Sequence, residues 1–334
     1  MDKFLNITVL RRVTQLFFFV ILVYGSLVFS TFYIGDKFTN ALPALSCAYD
    51  NLGSDYCSLI PLQHQIDHGF AGFLEGSRSF FTGVLPMFIT IGTFALLVVV
   101  LNKAFCGWMC PLGFFQEVIG LIGDKLKLEK ISSLSKKTLQ KIRPIKWFIL
   151  IFLVFIFPLL TGLGFLGKEF GSPFCSICPS RILTTLATGD MSQVYVDNSS
   201  FWYMALSILA DLLFGLMIAL ALFVRQPFCR ICPMLPFQSV FKKVGLLRLV
   251  KNPSSRCSSC GNCAKACPMD IYEIQEDVKA KSNITHTDCT LCGRCVEFCP
   301  DDNTLSLQYT SFSLFSSSKD GFKKRVKQQK FWEK

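Results

Sequence analysis

Two runs of cysteines in the C-terminal part of this 334-residue chain have the spacing that binds iron–sulfur clusters. Each run reads C-x2-C-x2-C-x3-C-P, in which three thiolates of one tight loop hold a [4Fe–4S] cube and the fourth ligates the other cube. The predicted sets are Cys257, Cys260, Cys263 and Cys299 for cluster one, and Cys289, Cys292, Cys295 and Cys267 for cluster two. Gly261 and Gly293 suit loops that turn tightly. Zinc also takes four thiolates, but the repeated Cys-Pro ending favours iron.

Three further cysteine pairs share a second signature, in which a phenylalanine precedes the first cysteine and a proline follows the second. They are Cys106/Cys110, Cys175/Cys178 and Cys229/Cys232. Thiolate ligands close around soft metals in sets of four. Two pairs that meet on one side of a membrane therefore predict a third cluster, with inert thiol pairs or a regulatory disulfide as the alternatives.

The elements that must position these cysteines are predicted to be membrane helices. The sequence is 51% hydrophobic with 34 phenylalanines, which is too apolar for a soluble domain of this size. Four stretches supply about the 20 apolar residues that a bilayer core requires, and a backbone in lipid must be helical. The stretches are roughly Val13–Ile34, Val84–Leu101, Trp147–Leu166 and Phe201–Val224. The first is too long for a cleavable signal peptide.

Lysine and arginine near the ends of the spans predict their orientation. The loop between spans two and three carries nine basic residues, whereas the loops after spans one and three carry two each. Both termini and the middle loop are therefore predicted to be cytoplasmic, in a multi-pass protein of the inner (cytoplasmic) membrane.

This topology sorts the cysteine pairs between the two faces of the membrane. Cys106, Cys110, Cys229 and Cys232 face the cytoplasm and form the predicted third cluster. Cys175 and Cys178 lie outside with Cys47 and Cys57, and these four predict a fourth cluster or a set of redox thiols, with disulfides as the alternative. Because the hydrocarbon core is about 30 Å thick, we expect an intermediate carrier, a bound quinone, between the inner and outer centres.

The net charge of +11 has a simple interpretation in this topology. Most of the excess decorates the cytoplasmic rim and the tail, where it faces anionic lipid. Membrane lipid is therefore a predicted partner, and nucleic acid is not.

A few other side chains are candidates for function or for bends in the helices. Asp211 lies in the middle of span four, where a carboxylate is energetically costly. Its position indicates a proton relay to a quinone or, equally, a structural hydrogen bond to a neighbouring helix. Glu117, on an amphipathic interfacial segment, is a second quinone-site candidate. His64 and His68 share a helix face, and solvated side chains are favoured there over haem or metal ligands. Pro158 predicts a kink in span three.

The order of the spans, the motifs "FCGWMCPLG" and "FCRICPM" and the double cysteine run resemble the NapH/MauN group of ferredoxin-type membrane proteins. NosR and CcoG contain related modules. The resemblance extends from span one to about residue 309, and it carries over the eight ferredoxin cysteines and the pairs Cys106/Cys110 and Cys229/Cys232. In the second pair the cysteines are one residue closer than the C-x3-C-P usual in the group, and the outer quartet lies outside the group's pattern.

The resemblance implies an accessory or quinol dehydrogenase-like subunit that passes electrons between the quinone pool and a redox partner, such as a reductase, a dehydrogenase or a ferredoxin-type subunit. A maturation factor for a metalloenzyme and a transmembrane thiol–disulfide transporter are the alternative functions.

The expected fold is an α-helical membrane protein with four transmembrane helices and a small C-terminal α+β double [4Fe–4S] ferredoxin domain. The expected boundaries are 1–225 for the membrane domain, 226–250 for an interfacial linker, 251–309 for the ferredoxin domain and 310–334 for a basic tail.

Overall fold

The computed structural model describes residues 7–28, 59–131, 133–189, 191, 193–252, 257–276 and 281–328. Cys47 and Cys57 lie outside these ranges, as do residues 29–34 at the end of the first predicted span. The α-helices before the ferredoxin domain are α1 (Ile7–Val28), α2 (Leu59–His64), α3 (Ala71–Leu74), α4 (Phe80–Gly83), α5 (Leu85–Leu101), α6 (Pro111–Lys125), α7 (Lys136–Ile142), α8 (Ile145–Phe148), α9 (Phe157–Gly162), α10 (Pro173–Ser176), α11 (Pro179–Thr188), α12 (Phe201–Phe223) and α13 (Met234–Ser239). Wider π-helical turns occupy Gln65–Phe70, Phe105–Met109 and Ile149–Ile156, and 3₁₀ turns occupy Lys168–Phe170 and Phe228–Arg230.

Three helical segments within the described ranges are long and apolar enough to cross a bilayer. They are Ile7–Tyr24 within α1, the segment Lys136–Gly162, which comprises α7, α8, the π-helical stretch and α9, and α12. Helix α5 is apolar but has only 17 residues, a few short of the about 20 that the hydrocarbon core requires. The prediction of four spans is therefore confirmed for three.

The surfaces of these helices are those of a membrane protein. Leu96 on α5 and Leu212 on α12 are 66% and 64% exposed, and many other large apolar side chains lie beside them on the outer faces. Extended exposed apolar surface is unusual for a soluble monomer and suits contact with lipid. In the third span, Pro158 is the second residue of α9, which directly follows the π-helical stretch, an irregularity at which helices bend.

Residues 59–74, assigned to an outer loop by the sequence, form a helical segment whose inner face is buried. Leu59, Leu62 and Ile66 belong to the apolar core of the membrane half, together with side chains of α5, α6 and α12. Hydropathy did not predict this packing, because the segment is amphipathic and lacks a continuous apolar run.

Helix α6, the predicted interfacial segment, packs closely on the end of α12. A Cβ atom at Gly123 would lie 2.6 Å from the carbonyl oxygen of Leu222, so this contact requires glycine. Nearer the start of α6, Gln116 accepts a hydrogen bond from the backbone N–H of Phe228 at 3.0 Å. The FCRICP motif, which follows α12, therefore lies against α6, into which the FCGWMCP motif leads.

The ferredoxin domain is built on one antiparallel sheet. Its strands are β1 (Leu247–Lys251), β2 (Ser282–Asn283), β3 (Leu305–Tyr309) and β4 (Phe312–Ser316), and its helices are α14 (Asn262–Ala266), a 3₁₀ turn (Tyr272–Gln275), α15 (Arg294–Glu297) and α16 (Lys319–Gln328). The strand order is β2-β1-β3-β4, with Leu249 opposite Leu307. Strand β1 begins inside the predicted linker, so the domain starts earlier than residue 251.

The predicted basic tail contributes β4 and α16 to the ferredoxin domain. Arg325 of α16 is buried, pairs with Glu297 at 3.1 Å and stacks its guanidinium over the ring of Phe298 at 5.5 Å. Thr8 at the start of α1 hydrogen-bonds to the same carboxylate. The described part of this segment therefore packs on the ferredoxin domain, because its positive charge has a specific buried partner.

Ion pairs fix the ferredoxin domain against the membrane half, and those of Lys146 with Asp288 and of Arg230 with Asp270 are buried. Arg143 pairs with Glu273 at 2.5 Å and with Asp288 at 2.9 Å, and Lys146 forms an ion pair with Asp288 as well. A fourth ion pair joins Arg230, directly after Cys229, to Asp270 at 2.8 Å. Removing one partner of such a buried pair typically costs about 3–5 kcal/mol, so the two halves have one defined arrangement.

Candidate iron–sulfur centres

The first ferredoxin loop and Cys299 meet near the domain surface. Gly261 has φ +73° at the start of α14, which is the tight turn predicted from the sequence. Burial, together with the neighbouring Cys299, raises the pKa of Cys263 to about 11. Burial also raises the pKa of Cys299, and the neighbouring Cys257 contributes to that shift. Cys260 is exposed. The structure thus brings the predicted fourth ligand of cluster one to the first loop.

The four thiols predicted for cluster two line one small cavity of about 340 Å³. These are Cys267, Cys289, Cys292 and Cys295, all buried. Apart from Thr290 and Gly293 the remaining lining is apolar, including Leu249 and Leu307 of the sheet. Burial, with Cys292 and Cys289 nearby, raises the pKa of Cys267 to about 12. Across the described ranges, no three His, Cys, Asp or Glu side chains converge on the position of a single metal ion.

The FCGWMCP motif lies directly against the second ferredoxin loop. It forms a wide π-helical turn that ends where α6 begins. A Cβ atom on Gly107 would overlap the carbonyl oxygen of Thr290, so only glycine fits at this contact. Next to it, Trp108 donates from Nε1 to the carbonyl oxygen of Leu291 at 2.9 Å.

A larger cavity of about 790 Å³ lies between this turn and the membrane helices. Six cysteines line it: Cys106, Cys110, Cys175, Cys178, Cys229 and Cys232. We call it the six-cysteine cavity. Its other walls are apolar except for Ser180 and Thr290, and Thr290 also lines the cluster-two cavity. The two cavities therefore share a wall.

The chemistry of the four thiols predicted for cluster three fits an iron–sulfur cluster. Burial raises the pKa of Cys106 well above its usual value, and Cys110, Cys232 and Cys229 raise it further. Four thiolates in an apolar site cannot ionise together unless positive charge lies between them. Iron would supply that charge and make thiolates of these groups.

Two buried glutamines contact the sulfur atoms of this quartet. Gln116 of α6 donates to Cys229 Sγ at 3.5 Å, and Gln238 of α13 accepts from Cys106 Sγ at 3.3 Å. Both side chains are almost fully buried. Such outer contacts orient thiol ligands. The sequence analysis missed both residues, although isolated glutamines within apolar segments were a visible signal.

The third pair reaches the same cavity from the opposite side. Cys175 lies in α10, Cys178 directly precedes α11, and Gln63 of α2 donates to Cys175 Sγ at 3.0 Å. The expectation that a membrane-wide gap separates this pair from the inner cysteines is therefore wrong. The physical reason is that the third loop folds back into the membrane half as two short helices. The described ranges leave the predicted association with Cys47 and Cys57 untested.

Lys103 is a buried charge between the cluster-two thiols and the thiols of the third centre. Its role was not predicted from the sequence. Its Nζ donates to the carbonyl oxygens of His286 and Thr287 at 2.9 and 2.6 Å. Burial lowers its pKa to about 8, while the thiols of Cys289 and Cys106 act in the opposite direction. The side chain therefore carries positive charge at pH 7, close to both centres.

The two quinone-site candidates have different surroundings. Asp211 is partly exposed on α12, does not line the six-cysteine cavity, and interacts electrostatically with Arg181 of α11. Glu117 is 11% exposed and accepts from Arg11 at 2.6 Å and from Arg12 at 3.0 Å. Burial alone would raise the pKa of Glu117, but these arginines and Arg294 outweigh it and lower the pKa. Glu117 thus remains a carboxylate.

The histidine pair lies on one helix face, as predicted. The rings of His64 and His68 meet edge to face at 4.5 Å, and both side chains are exposed. Asp67 lies 3.6 Å from His68. Exposure is in keeping with solvated side chains.

Family models match the chain in the regions that carry the cysteines. A "4Fe-4S binding domain" model matches residues 82–129 and 206–251, which contain the pairs Cys106/Cys110 and Cys229/Cys232. A "4Fe-4S dicluster domain" model matches residues 249–300. Neither match includes Cys175 or Cys178. No solved structure matches the chain significantly.

Curated proteins that resemble the chain include one named as an electron transport protein and one named as ferredoxin-type. The uncharacterized protein MJ0750 of Methanocaldococcus jannaschii is 28% identical over 64% of this chain and 82% of its own length. YccM of Escherichia coli, whose name describes it as an electron transport protein, is 27% identical over 60% of the chain and 52% of its own length. The methylamine utilization ferredoxin-type protein MauN of Methylobacillus flagellatus is 25% identical over 55% of each chain.

The chain carries 4Fe-4S domains and is similar to the ferredoxin-type protein MauN and to NosR. The recognition made from the motifs is confirmed. The chain spans about half the length of YccM and of MauN, so the activity of those whole proteins does not transfer to it directly.

Proposed function

We propose that this protein is an inner-membrane electron carrier that passes electrons between two ferredoxin clusters and a third iron–sulfur centre in the six-cysteine cavity. An iron–sulfur cluster bound at each thiol quartet would supply one-electron redox chemistry. The observation that carries the proposal is Thr290, which lines both the cluster-two cavity and the six-cysteine cavity.

The close contact between the two cysteine loops supports electron transfer between cluster two and the third centre. Gly107 touches the backbone of Thr290, and Trp108 is hydrogen-bonded to the next residue, Leu291. Both contacts lie between Cys106 and the Cys289–Cys292 loop. Such packing holds the two proposed centres at a fixed separation.

Four spans with both termini in the cytoplasm complete the proposal. The basic middle loop supports this orientation, and α5 would be the fourth span if the bilayer thins locally or flanking residues reach its surface. Reporter fusions after residue 334 and within the loop at residue 195 test it. A cytoplasmic signal from both positions would contradict the topology.

An apolar groove beside the third centre is a candidate quinone site. It encloses about 840 Å³, is lined by apolar side chains of α7, α8 and α12, and ends at Arg230, the residue after Cys229. An apolar pocket with one polar end suits a quinone ring and its carbonyl oxygen. In this proposal Asp211, farther along α12, exchanges protons with the quinone pool, and a redox protein on the cytoplasmic side is the other partner.

A second candidate function rests on Cys175 and Cys178. A C-x-x-C pair that precedes a helix is suited to thiol–disulfide exchange, and this pair shares the cavity of the proposed third centre. Reduction of a Cys175–Cys178 disulfide would break one S–S bond, consume two electrons from the centre and two protons, and leave two thiols. In the leading proposal these cysteines, with Cys47 and Cys57, instead hold a fourth cluster.

Iron and sulfide counting on the full chain, purified without oxygen, tests the leading proposal. The wild type should carry about twelve iron atoms if three [4Fe–4S] clusters are present, or about sixteen with the fourth. Cys106→Ser and Cys229→Ser should each remove about four, whereas Cys175→Ser should remove iron only if a fourth cluster exists. Unchanged iron in both of the first two variants would refute the third centre.

Anaerobic alkylation followed by mass spectrometry separates the roles of the third pair. Alkylation of Cys175 and Cys178 only after chemical reduction supports thiol–disulfide chemistry. Free thiols with about sixteen iron atoms support the fourth cluster.

A further inference from the structure

A polar cavity of about 900 Å³ lies where α1, α6 and the end of α12 meet the ferredoxin domain. Five cationic side chains line it, against two carboxylates. The cations are Arg11, Arg12, Lys130, Arg225 and Arg294, and the carboxylates are Glu117 and Asp124. Positive charge therefore predominates in the cavity. Both carboxylates are already paired with cavity cations, Glu117 with Arg11 and Asp124 with Lys130.

Two of the arginines are buried with donor groups that the described residues leave unsatisfied. Arg11 is 0% exposed and Arg294 is 7% exposed. Among the described parts of the chain, Nε and Nη1 of Arg11 and Nε of Arg294 have no hydrogen-bond acceptor. Buried charged donors without acceptors are strongly unfavourable. An anionic ligand in the cavity would offset the positive charge of these two buried guanidinium groups.

The cavity also lies at the level of lipid headgroups. Ala221 and Val224, at the end of the span-length helix α12, form one wall, and Leu121 of α6 forms another. A ligand there would have its charged part among the arginines and an apolar part along α12. Basic pockets between membrane helices on the cytoplasmic side are suited to anionic lipid headgroups.

We propose that this cavity binds the phosphate group of an anionic phospholipid. The guanidinium groups present planar pairs of donors, which match phosphate oxygens. Glu117 holds Arg11 and Arg12 in position through contacts of 2.6 and 3.0 Å. The acyl chains extend along the apolar surface of α12.

The lipid would connect the membrane helices with the ferredoxin domain. Pro268, directly after Cys267, and Arg294, directly before Cys295, line the cavity from the ferredoxin side. A bound headgroup therefore contacts both halves of the protein and stabilises their docking. Lipid binding at this cavity does not depend on the direction in which electrons flow.

Native mass spectrometry of the cluster-loaded full chain tests the proposal. The protein in detergent is supplied with dioleoyl-phosphatidylglycerol or with dioleoyl-phosphatidylcholine, and its thermal midpoint is measured in parallel. The Arg12→Gln/Lys130→Gln variant removes two cavity charges. The Lys136→Gln/Lys137→Gln variant is the matched control, because it removes two exposed charges of α7 outside the cavity. Arg225→Gln replaces the first variant if that protein does not fold.

We expect the wild type and the control to retain one phosphatidylglycerol and no phosphatidylcholine, and to gain thermal stability from the anionic lipid. The cavity variant should lose at least about tenfold in retention. Equal retention by the cavity and control variants would reduce the effect to general surface charge and overturn the proposal. Displacement of the lipid by millimolar inorganic phosphate, or by a short-chain quinone at equal concentration, would also overturn it, since the cavity would then be a free-anion or a quinone site.

Discussion

The ferredoxin domain and the membrane half assemble their thiol sets in different ways. In the ferredoxin domain, three ligands of each set come from one short loop that turns at Gly261 or Gly293, and only one residue crosses over. In the six-cysteine cavity, every pair comes from a different part of the chain. Local backbone geometry is sufficient to form the first kind of site, whereas the second depends on the packing of α6, α12 and a folded-back loop.

We therefore expect substitutions in the two regions to affect the clusters differently. A substitution in a ferredoxin loop should affect one cluster, because its ligands are held locally. A substitution at a packing contact of the membrane half should affect the position of the third centre without removing any ligand. The contact at Gly107 joins the two regions, so a substitution there tests the difference between them.

The largest effect is expected from loss of cluster two. Cys292→Ser removes a ligand next to Thr290, the shared wall, and should abolish electron transfer from a reduced cytoplasmic donor to the third centre. Cys260→Ser, which removes an exposed ligand of cluster one, is the matched control and should leave transfer from cluster two to the third centre intact. Rapid mixing with freeze-quench paramagnetic resonance measures both. Equal rates in the two variants would remove the special role of the shared wall.

The next effect is expected from Gly107→Ala. The added methyl group would overlap the carbonyl oxygen of Thr290, and such overpacking costs about 1–3 kcal/mol. The variant should keep its full iron content but transfer electrons between the two halves more slowly and melt several degrees lower. Gly92→Ala on α5 is the control, because a Cβ atom there meets nothing within 4 Å. Similar behaviour of the two variants would show that the Gly107 contact is unimportant.

A smaller effect is expected from Lys103→Met. At pH 7 the amine is charged, because its pKa of about 8 lies above that pH. Loss of the charge destabilises the reduced, more negative clusters and should lower their reduction potentials by tens of millivolts, on the order of 59 mV for a tenfold change in a one-electron equilibrium. Potentiometric titration at pH 7 measures the shift, with Lys136→Met as an exposed control.

The pH dependence of the same potentials sharpens this prediction. As the pH rises through about 8, Lys103 loses its proton, so the wild-type potential should fall towards that of Lys103→Met. The variant should show no such step near pH 8. A step of the same size in both proteins would assign the titration to another group.

The smallest effect is expected from Asp211→Asn. The side chain interacts with Arg181 and lies away from the six-cysteine cavity, so iron content and reduction potentials should not change. Quinone-linked turnover should slow by a few-fold if the carboxylate exchanges protons. Normal turnover at every pH would leave Asp211 with a structural role only.

The sequence was sufficient for the ferredoxin sites and for three of the spans, because these depend on local spacing and on continuous apolar runs. It was not sufficient for Cys175 and Cys178. Basic residues predict on which side a loop begins and ends, but they do not show that α10 and α11 fold back into the membrane half. Gln63, Thr290 and Lys103 were missed for a related reason, since their roles arise only from contacts between distant segments.

Rapid reduction of the wild-type protein tests the central claim most directly. Anaerobic, cluster-loaded full chain is mixed with a reduced low-potential ferredoxin, and the paramagnetic signals are followed by freeze-quench from milliseconds to minutes. We expect the ferredoxin clusters to be reduced first and the third centre to follow within catalytic time, with the third signal absent in Cys106→Ser. A third signal that never appears, or that appears only over minutes, would contradict electron transfer as the function and favour a role in assembly.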